Sequence, residues 1–425
     1  MTSQQRKPAK SERHAQRHRA SAARTQHFGW YWLLICVATA VTVPAIVLRL
    51  SGTHPSAAGM TAVLFGVAIL GGAFLLTWGA EVAELDISQG LALAFLALVA
   101  VLPEYAVDLY FAWRAAHEPA YTAYATANMT GANRLLIGVA WPLIIFLYWL
   151  HTRRSELKLP SSRAVELVFL TLATAYSFLI PLKGTISLLD SVVFIGIFAA
   201  YMWRIAPAEA GEPDLVGPAL AIAAFRPALR RTIVGVIFVF SAAVILASAE
   251  PFAEALIAVG RQHGLNEFLL VQWVAPLASE APEVIIACIL TLKGDAQAGM
   301  GAMVSAKVNQ WTLLVGTLPV VYSFGLGHPG ALQLDSRQVE EMALTAAQSL
   351  FGVAVLCNLR LSLFEAVVLL VLFLGQFFFP SPTVRYGFAL LYGALGCALL
   401  VRNRTDLRTF FHAGLRASLK RSVGA

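Results

Sequence analysis

Two Pro-Glu pairs, Pro103-Glu104 and Pro282-Glu283, stand inside long apolar stretches of this 425-residue sequence. A carboxylate in the middle of a membrane helix costs roughly 2.5 to 3.5 kcal/mol on insertion scales, so it persists only with a partner or in a polar cavity. Glu280 lies three residues before Glu283 and Asp108 four after Glu104, so on helices each pair points two acids the same way. Clustered oxygens of this kind bind hard cations such as calcium, and Glu104 and Glu283 are the expected metal ligands. The proline before each glutamate has no N–H to donate, which frees carbonyl oxygens of the preceding turn to face an ion.

Further polar residues fall at matching places. The segment TGANRLLIG at 130 to 138 faces AKVNQWTLLVG at 306 to 316, with Asn133 matched to Asn309. Arg134 and Lys307 stand beside these asparagines, and each needs a counter-charge at that depth. Glu104, Asp108, Glu280 and Glu283 set against these two cations leave a net charge of minus two, which suits one divalent cation or two protons. The competing reading makes Arg134 and Lys307 static braces that pin the acids and abolish transport. Ser279, Thr312, Asn133 and Asn309 are expected to supply neutral oxygens or to orient the acids. Asp108 is open to two readings, as a ligand or as a group reaching the headgroups from its helix end. Glu81, Glu84, Glu250 and Glu254 lie near helix ends, where solvated interfacial acids are expected, and Glu81 and Glu250 are also candidates to line the path by which ions arrive.

Residues of this kind need membrane-spanning helices to position them. With 58% hydrophobic and 13% charged residues and a mean hydropathy of +0.70, the chain is far too apolar for a soluble domain of its size. The net charge of +7 is confined to short blocks, from Arg6 to Arg24, His151 to Arg163, Arg204 to Arg231 and Arg402 to Arg421. These read as topology signals facing the cytoplasm, and no nucleic-acid partner is expected. Cys36, Cys288, Cys357 and Cys397 sit in apolar runs without metal or disulfide spacing. The first apolar run follows a long basic arm and lacks a convincing cleavage site, so it is expected to remain as a helix.

Apolar runs long enough to cross a bilayer lie near 30 to 50, 60 to 83, 88 to 114, 121 to 150, 163 to 182, 185 to 204, 231 to 259, 266 to 292, 296 to 324, 338 to 358, 361 to 379 and 383 to 401. The predicted fold is therefore an all-α membrane protein of about twelve transmembrane helices with both termini cytoplasmic. A Pro- and Gly-rich linker at 205 to 230 divides it. Residues 60 to 204 and 231 to 379 form two repeats of five helices, with an extra helix at 30 to 50 and another at 383 to 401. Residues 1 to 29 form a basic arm and 402 to 425 a basic tail. Each repeat runs from an acid-bearing helix to a Pro-Glu helix to an Asn-bearing helix. The Pro-Glu helices are five spans apart, so they run in opposite directions, the inverted-topology repeat by which many secondary transporters alternate access to a midplane site.

In these residues the chain resembles the calcium/cation antiporter superfamily, and in particular the membrane region of the sodium/calcium exchangers. Leu102-Pro103-Glu104 and Ala281-Pro282-Glu283 match the end of that family's Gly-Thr-Ser-Leu-Pro-Glu segment, and Gly131-Ala132-Asn133 is similar to its Gly-Ser-Asn segment. The resemblance covers roughly residues 60 to 380 and implies that the glutamates bind the transported ion. The family's paired hydroxyls are replaced by Ala100 and Val101 in repeat one and by Ser279 and Glu280 in repeat two. Its second-helix ligand positions fall on Ala132, Leu136, Val308 and Thr312. A sodium-coupled mechanism needs those missing oxygens, so proton coupling is the preferred variant.

The expected function is that of a secondary cation antiporter in the plasma membrane, exchanging a metal cation, calcium first, for protons or sodium. The alternatives are sodium/proton exchange, or a degenerate exchanger fold that binds or senses without transport. No enzymatic activity is expected, and no cofactor beyond the transported Ca2+, Na+ or H+. The expected partners are the lipid bilayer and the transported cations.

Overall fold

The structure is a computed structural model and describes residues 29–53, 55, 57–86, 101–205, 215–379 and 381–404. The basic arm, the first half of the expected span at 88 to 114, part of the linker and almost all of the tail lie outside the described residues.

The chain folds into helices in the predicted order. They are α1 (Gly29–Ser51), α2 (Ala58–Ala83), α4 (Tyr121–Thr152), α5 (Ser161–Lys183) and α6 (Leu188–Ile205), with α3 (Leu102–Ala115) between α2 and α4. After a short helix at Pro218–Ala223 come α7 (Pro227–His263) and α8 (Glu267–Leu292). Next is α9, which runs as Ala296–Asn309, a wide π-turn at Gln310–Leu314, and Val315–Leu326. The series ends with α10 (Ser336–Leu356), α11 (Leu363–Phe378) and α12 (Pro382–Arg402). Among the described residues, 9 helices are long and apolar enough to cross a membrane, which makes this an integral multi-pass membrane protein. The shorter apolar α11, the π-turned α9 and the described part of α3 stand where the other three expected spans fall.

Local signals in the sequence set the helix ends. Asn266 and Asp295 accept backbone N–H groups at the starts of α8 and α9, and Asp335-Gln338 and Ser362-Glu365 close reciprocal capping boxes on α10 and α11. Gly52, Gly264 and Gly327 take left-handed conformations after α1, α7 and α9. Burial then sorts the helices. Of the most apolar stretch in each, 83% is buried in α10 against 17% in α1 and in α12, so α10 lies at the centre and the terminal helices lie at the rim.

Two small antiparallel ladders record the symmetry of the halves. β1 (Glu156–Lys158), between α4 and α5, pairs with β4 (Arg360–Ser362), between α10 and α11. β2 (Thr185–Ser187), between α5 and α6, pairs with β3 (Ala331–Gln333), between α9 and α10. Exchanging repeat α2–α6 with repeat α7–α11 converts one pairing into the other, and the ladders lie at opposite ends of the helices. The π-turn of α9 has its counterpart at Leu136–Ala140 in α4. Both follow the asparagine that the sequence matched between halves.

Candidate cation-binding site

The two Pro-Glu pairs are built differently. Val101 is non-helical, at φ −88° and ψ 1°, and α3 opens at Leu102 with Pro103 and Glu104 in its first turn. A proline fits there because that N–H has no helical acceptor, and the unpaired N–H groups of a first turn favour a carboxylate. Glu104 therefore stands at a helix start, whereas the sequence reading placed it in mid-helix. Pro282 is different, since α8 continues through both Pro276 and Pro282. The carbonyl of Gln272, which a residue other than Pro276 would have engaged, is instead packed against Gly131 of α4. A Cβ on Gly131 would lie 1.8 Å from that oxygen, so only glycine allows α4 and α8 to cross here.

These elements bring the expected acids together. Glu104 and Glu280 are 3% and 5% exposed, Asp108 is wholly buried, and Glu283 is half-buried. Glu104 interacts through space with Glu280, Glu283 and Asp108, and Glu280 with Glu283 and Asp108. Gln310, in the π-turn of α9, donates from Nε2 to Glu104 Oε1 at 2.9 Å and also stands beside Glu280. The widened turn holds Gln310, Trp311 and Thr312 all in the interior. Glu104 Oε2, Glu280 Oε1 and Gln310 Oε1 are buried without a hydrogen-bond partner in the protein, and the side chain of Asn128 lies against the Asp108 carboxyl. Among the described residues, no three His, Cys, Asp or Glu side chains are drawn closely enough to hold a metal ion between them. The acids are neighbours that do not close on a common point.

The neutral residues divide by task. Tyr105 donates its hydroxyl to Asn309 Oδ1 at 3.1 Å, which links the Glu104 helix to α9. Asn133 donates from Nδ2 to Met129 O at 2.9 Å and accepts the Lys307 ammonium on Oδ1 at 2.6 Å. Ser279 donates to the carbonyls of Ala275 and Pro276, and Thr312 to those of Val308 and Asn309, so both hydroxyl protons are engaged within their own helices.

Arg134 stands apart from the acids that the sequence reading set it against. Its guanidinium pairs with Glu341 of α10 at 2.5 Å, both side chains being 2% exposed, and lies over the Trp273 ring. Gln272 donates to Glu341 at 3.1 Å, and Arg385 of α12 pairs with the adjacent Glu340 at 2.7 Å. Side chains of a helix point outward at about 100° per residue, so Arg134 and its neighbour Asn133 face different helices. The reading of Arg134 as a brace that pins these acids loses its basis, and among the described residues the buried Glu104, Asp108 and Glu280 and the half-buried Glu283 remain with Lys307 as their near cation.

The two candidate access acids lie in separate places. Glu250 is exposed and pairs with Arg49 at 2.6 Å. It lines a cavity of about 460 Å³ that extends along α3 past Trp113 and Tyr110 to Tyr105 and Leu102, next to Glu104. Glu254 accepts hydroxyls from Tyr110 and Tyr121. Glu81, at the far end of α2, accepts the backbone N–H of Val216 at 2.9 Å, and its other oxygen is buried without a partner.

Sequence reasoning missed Gln310, Tyr105 and Asn128 at the acids, and Gln272, Glu340, Glu341 and Arg385 in the buried network. A signal existed for most of them. Gln310 follows Asn309 directly, and Glu340 and Glu341 are adjacent acids in an apolar run that has no other charge beyond its first turn.

Two inverted helical repeats that gather buried acids where they meet define a membrane cation exchanger. The chain belongs to the sodium/calcium exchanger family: the profile described as Sodium/calcium exchanger protein matches residues 57–206 and 233–381. It is similar to the solved structure of the H+/Ca2+ exchanger CAX, with 42% identity, a TM-score of 0.88, and coverage of 92% of this chain and 98% of that one. The structure of native YfkE is 18% identical, with a TM-score of 0.57 over 85% of this chain and 99% of that one. The sodium-calcium exchanger NCX_Mj, soaked with Na+ and Sr2+, is 15% identical, with a TM-score of 0.51 over 75% of this chain and 97% of that one. These two likenesses are of fold alone. No curated protein sequence matches the chain.

Proposed function

We propose that this protein exchanges calcium for protons by alternating access, with Glu104, Glu280 and Glu283 as the carboxylates that carry the ion. The observation that carries this reading is the group of buried oxygens without partners, Glu104 Oε2, Glu280 Oε1 and Gln310 Oε1, contributed by three helices from both repeats. Carboxylates offered this way must take up either a metal cation or protons, because an unpaired buried charge is too costly to leave bare. Competition between the two is the exchange. Calcium accepts the mixed carboxylate and neutral oxygens available here, and its loose geometry lets acids from two repeats close on it. The likeness to the H+/Ca2+ exchanger CAX supports the same pair of ions.

Asp108 adds negative charge behind Glu104, and Asn133, Asn309, Ser279 and Thr312 shape the surroundings without leading the chemistry. Cations arrive on one side along the cavity from Glu250 to Tyr105 and on the other past Glu81. The protein resides in the plasma membrane with both termini in the cytoplasm, where its basic connections belong.

Calcium uptake into proteoliposomes under an imposed pH gradient tests this. The wild type is expected to accumulate calcium without sodium on either side, and both Glu104→Gln and Glu283→Gln abolish uptake. Calcium affinity is expected to fall as pH falls, since protons take the same oxygens. A folded wild-type protein that moves calcium only when a sodium gradient is supplied, or not at all, overturns the proposal.

A further inference from the structure

Lys307 is fully buried, and its ammonium is held by neutral groups. Nζ donates to Asn133 Oδ1 at 2.6 Å, lies 3.4 Å from the Asn133 backbone oxygen, and sits 4.4 Å from the centre of the Trp311 ring. Among the described residues no carboxylate comes within the 4.0 Å of an ion pair, and Glu280 interacts with it through space. A buried ammonium without a directly paired acid is costly, so a static structural role would be better served by an uncharged side chain. Two oxygens, an aromatic face and a nearby carboxylate cluster are what a free monovalent cation would use in the same place. Lys307 is such a cation, fastened to α9 by its own stem.

We propose that the Lys307 ammonium is a built-in monovalent cation: it fills the position that a sodium ion would take between Asn133 and Glu280, and so reserves the carboxylates for a divalent metal and protons. The oxygens of Asn133 in repeat one are committed to a residue of repeat two, which leaves sodium without neutral ligands there. Arg134, turned toward Glu341, adds no second positive charge to the position. The inference rests on the calcium/proton reading for what the carboxylates carry, while the role of Lys307 is measured by sodium binding.

The experiment is calcium titration of the purified protein by calorimetry, with sodium or N-methylglucamine at equal ionic strength, and sodium titration alone. In the wild type and in Lys307→Arg, sodium is expected to change calcium affinity by less than about twofold, and in Lys307→Met and Lys307→Ser to weaken it by about tenfold or more. Both neutral variants are also expected to bind sodium directly. Folded neutral variants that ignore sodium overturn the inference, as does a wild type whose calcium affinity drops tenfold in sodium. The wild-type and Lys307→Arg measurements decide the matter even where the neutral variants do not fold. A wild type that binds no calcium defeats the calcium/proton reading instead, and the sodium titrations still report on Lys307.

Discussion

The side-chain amide of Gln310 donates to Glu104 at 2.9 Å, so a residue of the second repeat holds the principal acid of the first. The bond leaves the amide oxygen of Gln310 and the second oxygen of Glu104 both unpartnered and buried. One neutral residue thereby fixes a carboxylate while offering an oxygen of its own. Replacing Gln310 with leucine removes a hydrogen bond to a charged group, a loss of about 1.5–3 kcal/mol. Calcium affinity is expected to fall by about ten- to a hundredfold. Calorimetric titration of Gln310→Leu against the wild type checks this, and an unchanged affinity would remove Gln310 from the site.

The Arg134–Glu341 pair is buried on both sides, so removing Arg134 takes away the close partner of Glu341 and leaves its carboxylate to Gln272 and to Arg385 at 3.8 Å. Arg134→Met is expected to destabilise the protein by about 3–5 kcal/mol. Arg134→Met combined with Glu341→Leu should recover most of that loss, because the second change removes the buried acid that has lost its close partner. Thermal unfolding in detergent reads both, and a double variant no more stable than the single one contradicts the assignment.

Gly131 lets the backbones of α4 and α8 meet where Pro276 has freed the Gln272 carbonyl. Gly131→Ala forces the two helices apart at the height of Asn133. Overpacking of this kind costs about 1–3 kcal/mol. Calcium uptake is expected to suffer more than stability, since the displaced helices carry Asn133 and Glu280. An alanine variant with wild-type uptake would show that the crossing tolerates a wider gap.

Asp86 lies beyond the end of α2 and accepts two hydrogen bonds from Arg230 at 2.7 and 2.8 Å and one from Arg231 at 3.0 Å. The hydrogen bond from Arg230 is the largest influence holding its carboxyl below the ordinary aspartate value, with Arg231 adding to it. A lowered folded-state pKa contributes stability above the unfolded value, and that contribution is lost as pH falls through the folded value. Asp86→Asn is therefore expected to lower the melting temperature at pH of about 7 and about 5, with the gap closing below a pH of about 3. A gap that stays constant across this range would mean that the ionised carboxylate is not what the arginines hold.

Much of this was legible in the chain because bilayer and charge impose strong rules. The spacing of the apolar runs foretold the order of the helices, and the matched pairs Glu104 with Glu283 and Asn133 with Asn309 foretold the two inverted halves. The meeting of Glu104, Glu280, Glu283 and Asp108 followed from that symmetry. The partner of Arg134 did not. An arginine reaches in a direction set by its place on the helix circumference, and that angle has meaning only once the neighbouring helices are known. The helix start at Leu102 was hidden for a similar reason, since a proline inside an apolar run fits equally a kinked helix and a first turn.

The exchanged strand pairings bear on how the chain is made. β1 leaves the ribosome about two hundred residues before its partner: Glu156 in β1 and Arg360 in β4, which form an ion pair, are 204 positions apart. At ribosomal speeds the first repeat waits in the bilayer on the order of ten seconds or longer with both its strands unmatched and the faces of α4 and α8's future crossing open to lipid. Assembly is thus the last event in biosynthesis, and neither half alone is a finished product. A chain cut at the linker should yield activity only when both pieces are made together.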